Sequence, residues 1–381
     1  MKFDFDDETE AFRQHLRDFG RTQLAPHYQA DDRAGEFHEG LQEQLGQLGL
    51  FGLLIPEDLG GQGASYVASG VACEEIARAD FNAGWLITNA LLISDILNTH
   101  GTDEQRARWL PPIASGEHVP AIALTEPGHG TDASALEMRA ERHGAGWLLS
   151  GEKTSISWGM HADWALVFAR TGGPGAKGIS GFYVRLTAKE VTRTAFRDVG
   201  GRPIGRASIH FDGLYVPDED MVGAEGKGFT SVMQGFDYSR GLIALLAIGG
   251  GQASIDEAIE YAQQREAFGQ PIGKFQGVAF PLVEYATQLR AGRLLSYEVL
   301  WRKDNDLPHS MEGAMVKWWI PQLAVGAAHQ ALLTFGQLGY SEDFPHAQRM
   351  RDIMGMEIGD GTAQVSKIVV ARHLLGRAYA P

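Results

Sequence analysis

The chain has 381 residues, 44% of them hydrophobic and 21% charged, and carries a formal net charge of −15. Such a length exceeds one small core and predicts about two or three domains of a soluble globular protein. The acidic balance argues against nucleic acid as a main partner, because phosphate binding needs clustered cations, but it leaves room for a local patch that holds an anionic ligand.

Residues 1–119 read as a helical domain. The first ten residues are acidic and hold no apolar signal core. Phe12, Leu16, Phe19 and Leu24 recur at helical spacing, and Leu41, Leu45, Leu48 and Leu50 continue the pattern. Gly60-Gly61-Gln62-Gly63 breaks it, and residues 67–78 and 85–97 form two further apolar helices. Cys73 lies in the first of these and reads as core; as the single cysteine it excludes an internal disulfide and a cysteine-based metal cluster. Thr102-Asp103-Glu104-Gln105 has the cap and early acids of a helix start, and Pro111-Pro112 is expected to end that unit.

Residues 120–225 change texture. Segments 121–124, 147–150, 164–169, 181–186 and 207–214 are short β-like runs separated by Gly, Pro, Asp and Ser clusters. With no long helix between them, a small antiparallel barrel or sandwich is expected. Residues 226–381 return to helices. Ile255, Ala258, Ile259 and Ala262 share one face, as do Val278, Leu282, Tyr285 and Leu289. Residues 318–333 are nearly all apolar and are expected to be buried on all sides. Gly249-Gly250-Gly251 inside a helix costs roughly 1 kcal/mol per glycine relative to alanine, which close helix–helix or helix–ligand approach would compensate. No run of about 18 apolar residues is free of charges or glycine breaks, so no membrane span is expected and the location expected is cytoplasmic.

Several segments can carry chemistry. Gly359-Asp360-Gly361-Thr362 places one carboxylate between glycines that let backbone approach a ligand, and such a carboxylate can serve as a general base; Asp-Gly between helices is also an ordinary turn. The loop Thr125-Glu126-Pro127-Gly128-His129-Gly130-Thr131-Asp132 follows a strand and offers hydroxyls and backbone amides to a polar ring edge or phosphate, or is simply a turn. It lacks the P-loop ending and the long helix of a dinucleotide fingerprint. Ser155 and Ser157 alternate and so share one strand face. Gly269 and Pro271 look like a helix stop beside Arg265 and Phe268. The thirteen histidines show no HxxxH or HExxH spacing, so metal catalysis is not expected. His210 and His329 read as structural.

In order and spacing these segments resemble the flavin-dependent acyl-CoA dehydrogenases along the whole chain. The matching pieces are Thr125-Glu126-Pro127-Gly128, Gly130-Thr131-Asp132, Gly151-Glu152-Lys153, Phe211-Asp212-Gly213-Leu214-Tyr215-Val216-Pro217, Gly226-Lys227-Gly228-Phe229, Asp237-Tyr238-Ser239-Arg240, Arg265-Glu266-Ala267-Phe268-Gly269, Phe275-Gln276, Arg351-Asp352 and Gly361-Thr362. The resemblance implies an α+β multidomain fold, with an N-terminal helical domain, a middle antiparallel β domain and a C-terminal four-helix-bundle-like domain, assembled as a homotetramer.

It implies FAD as cofactor. The flavin would be held by Leu124, Thr125, Thr131, Ser155 and Ser157, with Ser155 standing where many members have a tryptophan. Arg265, Phe268, Gln276, Gly336 and Gln337 would grip the adenosine half on a neighbouring subunit, with Gln337 replacing the second glycine of a usual pair. Thr362 and Gln364 would complete the cofactor site. Thr131, Asp237, Tyr238, Arg240 and Gly361 would contact an acyl-CoA substrate. Asp360 falls where many members carry the catalytic glutamate, and Ser239 occupies the alternative glutamate position. The reaction implied is removal of the α proton by Asp360, with the β hydride passing to flavin N5. The thioester carbonyl would be bonded by the flavin ribityl hydroxyl and the Asp360 backbone N–H. Burial should raise the Asp360 pKa.

Aspartate is one methylene shorter than glutamate, which points to a substrate seated differently. The chain looks most like the branch that oxidises cyclohexane-1-carboxyl-CoA to cyclohex-1-ene-1-carboxyl-CoA. Small residues Gly84, Thr88 and Ala90 are expected to leave room for a ring, and Asp95 is either a second acid or a capped or solvated group. The acceptor expected is an electron-transfer flavoprotein. Other acyl-CoA or carrier-protein dehydrogenases, a nitroalkane-oxidase-like enzyme and a non-enzymatic flavin-bearing regulator stay open as alternatives.

Overall fold

The computed structural model describes residues 4–381. Six helices come first: α1 (Asp7–Phe19), α2 (Tyr28–Ala34), α3 (Leu41–Gln47), α4 (Tyr66–Ala79), α5 (Phe81–His100) and α6 (Asp103–Ala114). Their starts follow from capping chemistry. Asp80 closes α4 and opens α5, its Oδ1 accepting from the N–H groups of Asn82 and Ala83 at 2.8 and 3.0 Å. Thr102 and Gln105 form the full capping box of α6. The prolines do not end α6 where expected. Pro111 and Pro112 lie inside it, and their carbonyls still accept from Ser115 and His118. A proline in the last turn removes its own N–H but not its acceptor.

The strands are β1 (Ala121–Ala123), β2 (Arg139–His143), β3 (Gly146–Ile156), β4 (Trp164–Arg170), β5 (Ile179–Arg185), β6 (Val191–Ala195), β7 (Ala207–Pro217) and β8 (Met221–Val222). They form one sheet in the order β6-β7-β3-β2-β4-β5-β8, antiparallel for the most part, with β1 joining β4 in parallel. The β3–β7 pairing is irregular after Leu149, where Gly213 of β7 is the extra residue, and between Lys153 and Ile156, where β3 carries the extra residue. The second bulge corrects one expectation. Ser155 has φ +62° and Ser157 lies beyond the strand in a turn, so the two serines do not share a face by simple alternation.

The C-terminal part holds α7 (Gly228–Gln264), the hairpin β9 (Glu266–Ala267) and β10 (Gln270–Pro271), α8 (Gln276–Asp304), α9 (Ser310–Phe335), α10 (His346–Met354) and α11 (Ala363–Leu375). Helix α7 stops at Gln264, ahead of Gly269 and Pro271, which shape the hairpin instead. It is long and apolar enough to cross a membrane by length and composition, yet 78% of its apolar window is buried inside the fold. A Cβ on Gly249 would meet the Glu74 carbonyl oxygen at 2.3 Å, so its glycines let α4 and α9 close on α7. Helix α9 is not buried all round, since Gln322, His329 and Leu333 are exposed.

Asp352 on α10 joins all three regions. Its carboxylate accepts from Tyr28 Oη at 2.7 Å, Asn82 Nδ2 at 3.2 Å and the Gly201 N–H at 2.7 Å. Burial raises the Asp352 pKa to about 6, against the lowering effect of the Tyr28 and Gly201 donors. This junction anchors α10, and with it the turn that follows.

Candidate functional site

That turn carries Asp360. Helix α10 runs into one 3₁₀ turn (Gly355–Glu357), and α11 is capped by Thr362, whose side chain accepts from the Val365 N–H. Between them Asp360 has φ +54°, a left-handed conformation that aspartate tolerates better than most residues, and Gly361 has φ +106°. This backbone turns the carboxylate back towards α7. Ser239 Oγ donates to Asp360 Oδ2 at 2.7 Å. Burial raises the Asp360 pKa, while the Ser239 hydrogen bond, Lys317 and Arg240 oppose the rise. Among the described residues the Asp360 backbone N–H has no partner, so it is free to donate to a ligand.

Two cations flank this carboxylate. Arg240 is 5% exposed, its Nη1 donating to Asp237 Oδ1 at 2.7 Å, and its Nε is buried without a partner. Asp237 also accepts from Ser310 Oγ. Arg240 therefore lies inside beside Gly361 rather than on a surface open to an acidic ligand. Lys317, which sequence reasoning passed over inside apolar α9, is 1% exposed; its Nζ donates to the Met356 and Gly361 carbonyls at 2.7 and 2.8 Å. The arrangement can accept a proton at Asp360 next to a free N–H donor, with positive charge near both.

The residues expected to face the flavin ring sit on a pinned strand end. Lys153, fully buried, donates to the Leu124 carbonyl at 2.9 Å and to Glu126 Oε1 at 2.8 Å, and the Thr154 N–H bonds the Thr125 carbonyl at 2.8 Å. Glu126 also takes the N–H groups of Glu137 and Met138, which fixes the loop. Burial lowers the Lys153 pKa to about 8 despite its pairing with Glu126. This scaffold leaves the Thr125 N–H and the Thr131 and Ser157 hydroxyls without partners among the described residues, a donor set that fits the polar edge of a flavin. Ser155 Oγ instead accepts from Arg206 Nη1 at 3.1 Å, and Arg206 lies over the Phe196 ring.

The second expected set is exposed. Phe268 is 95% exposed at the tip of the β9–β10 hairpin with φ +51°. Arg265 and Gln276 are exposed on either side of the hairpin, Gly336 and Gln337 are exposed just after α9, and Gln364 is exposed in the first turn of α11. Gly336 adopts φ +63° and ψ −131°, a conformation reserved to glycine. Phe268 keeps only an edge-to-face contact with Phe275 among the described residues, and side chains this exposed fit a role in holding a group from outside the chain.

Three expectations are corrected. Tyr238 is fully buried, with its hydroxyl 2.9 Å from Ser69 Oγ and its ring against Tyr66, so it packs α7 onto α4 and is not open to a ligand. Gly84, Thr88 and Ala90 leave no room for a ring. A Cβ on Gly84 would meet Leu246 Cδ1 at 2.8 Å and Ala77 Cβ at 2.9 Å, Thr88 bonds Cys73 and the Gly84 carbonyl, and Ala90 is fully buried. Their smallness serves helix packing. Asp95 is neither a free second acid nor solvated, since it accepts from Tyr66 Oη at 2.6 Å with Lys303 at 3.8 Å.

Cys73 is buried in the core, with its thiol pushed up to about 12 by burial. His210 and His329 are exposed, on β7 and α9. His27, Asp31 and His38 gather in the N-terminal domain, but the imidazoles are stacked at 4.0 Å and 19°, which keeps their in-plane lone pairs from converging.

Comparison with known proteins agrees with this layout. Residues 6–117, 121–214 and 226–375 match the family models for the N-terminal, middle and C-terminal domains of acyl-CoA dehydrogenases. The mitochondrial short-chain specific acyl-CoA dehydrogenase of Mus musculus is 36% identical over 371 residues, covering 96% of this chain and 90% of the relative. A 3-(aryl)acrylate reductase of Clostridium sporogenes is 35% identical over 376 residues, covering 97% and 99%. The solved structure of butyryl-CoA dehydrogenase from Megasphaera elsdenii superposes with a TM-score of 0.95 at 32% identity, covering 98% of this chain and 100% of that one. The chain belongs to the acyl-CoA dehydrogenase family of FAD-dependent oxidoreductases.

Proposed function

We propose that the chain dehydrogenates an acyl-CoA thioester between its α and β carbons, with Asp360 taking the α proton. The single observation that carries this reading is the half-buried Asp360 carboxylate, bonded to Ser239 beside an unpartnered backbone N–H. Leu124, Thr125, Thr131, Ser157, Thr362 and Gln364 would hold FAD, which supplies the hydride acceptor when bound. The Asp360 N–H would bond the thioester oxygen, stabilising charge that develops there as the α proton leaves. Burial keeps the carboxylate basic enough to take that proton, and Ser239 limits the rise.

The finer reading is a compact acyl group whose α carbon belongs to a ring, of which cyclohexane-1-carboxyl-CoA is the simplest case. It rests on the short reach of aspartate, since displacement of about 1 Å in a reacting group can cost about 10²-fold. Exposed apolar side chains at the hairpin and on α8, α9 and α11, such as Phe268, Val283, Leu333 and Leu374, suit a homotetramer in which the hairpin reaches a neighbour's cofactor. An electron-transfer flavoprotein is the acceptor that goes with this reading. Anaerobic bleaching of the flavin by straight, branched and cyclic acyl-CoA thioesters tests it; bleaching fastest with a cyclic thioester is expected, and preference for a straight chain would remove the ring proposal.

A further inference from the structure

We propose that Lys317 is the positioning residue of this site: it holds the Asp360 turn in its left-handed form and supplies the counter-charge that sets the basicity of the carboxylate. This rests on the reading of Asp360 as the base. The observation is a buried ammonium in α9, whose other buried residues are apolar apart from Glu312, which pairs with Arg302. Lys317 lies between Val316 and Trp318 on α9 and is 1% exposed. Its Nζ bonds the carbonyls of Met356 and Gly361, the two ends of the turn that contains Asp360. Two carbonyls bound by one ammonium fix the span between them, and a left-handed aspartate persists only where its surroundings over-determine it.

The third N–H of the ammonium has no partner among the described residues, and no direct ion pair joins it to Asp360. Charge acts between them across the turn. The charged groups that face Lys317 are Asp360 and Glu357 from the turn and Arg240 from α7, the last already paired with Asp237. Burial lowers the Lys317 pKa to about 8, with Asp360 and Glu357 opposing that and Arg240 adding to it. The ammonium is therefore charged at neutral pH, where its field favours the ionised form of Asp360.

The test is the pH dependence of flavin reduction by a saturating acyl-CoA thioester, followed by stopped flow in the FAD-loaded enzyme. Wild type is compared with Lys317→Met and Lys317→Arg. Amide hydrogen exchange over residues 357–362 is read in parallel. Lys317→Met is expected to move the acid limb up by roughly one pH unit, lower the limiting rate at least about tenfold, and speed exchange in the turn. Lys317→Arg keeps the cation, so its acid limb stays at the wild-type position while its limiting rate falls. An acid limb unmoved in Lys317→Met overturns the proposal, as does an equal shift in both variants. If the Met variant does not fold, Lys317→Gln removes the charge and keeps a donor, and an unmoved limb there overturns the proposal equally. Wild-type enzyme that no thioester reduces, or an Asp360→Asn variant that is reduced normally, sinks the base reading and this inference together. An unmoved limb in an enzyme that reduces its flavin sinks only this one.

Discussion

Ser239 Oγ and Asp360 Oδ2 lie 2.7 Å apart although 121 positions separate them in the chain. Helix α7 supplies the hydroxyl and the turn before α11 supplies the carboxylate. A serine cannot take an α proton from carbon, but it can hold the group that does. The bond favours the charged carboxylate and so works against burial.

Ser239→Ala removes that donor. The apparent pKa of the base should rise by roughly one unit, since a hydrogen bond to a charged group contributes about 1.5–3 kcal/mol. The acid limb of flavin reduction then moves to higher pH while the high-pH rate changes little. A pH profile that superposes on wild type would show that the bond has no bearing on ionisation.

Gly84 tests the packing account of the small residues on α5. Gly84→Val pushes a side chain into Leu246 and Ala77, which lie within 3 Å of the Cβ position. Overpacking of this kind costs about 1–3 kcal/mol, so the melting temperature should fall. Relative rates across a panel of thioesters should stay unchanged. A variant of normal stability with an altered acyl preference would return Gly84 to the substrate pocket.

Buried carboxylates at the domain junction make stability depend on pH. Burial raises Asp80 to about 7 and Asp352 to about 6, while unfolded aspartates titrate near about 3.9. Between these limits the folded state holds protons the unfolded state has lost. Their stabilising contribution is full below about pH 4 and is lost as pH rises through 6 and 7. Asp80→Asn keeps the cap to Asn82 and Ala83 and removes the charge, and the Asp80 Oδ2 it replaces has no partner. The variant should gain stability at pH 8, by roughly 4 kcal/mol at most, and little at pH 4. Denaturant titrations at the two pH values decide it; a loss at pH 8 would mean that the ionised carboxylate is the stabilising form.

Much of this was readable in the residues. The Thr102–Gln105 capping box, the strand texture of the middle region and the glycine-flanked Asp360 are local signals, each complete within about ten residues. Other features depend on contacts made by folding. Lys317 is one cation in an apolar helix, and the carbonyls that need it lie 39 and 44 positions away. Tyr238 stands in a segment matching ligand-binding positions, yet helical geometry turns it onto Ser69, away from Asp360's side of α7 where Ser239 points. Gly84 looks like space until α4 and α7 close on it. The alternation of Ser155 and Ser157 was lost to a bulge, which shifts a face without changing composition.

The central claim is that Asp360 removes the proton whose loss permits dehydrogenation. Anaerobic mixing of FAD-loaded Asp360→Asn with an acyl-CoA thioester, followed by flavin absorbance, tests it directly. The account predicts that the variant still binds FAD and thioester, with flavin reduction slowed by about 10²–10⁴-fold or more. Full flavin reduction at the wild-type rate would contradict it.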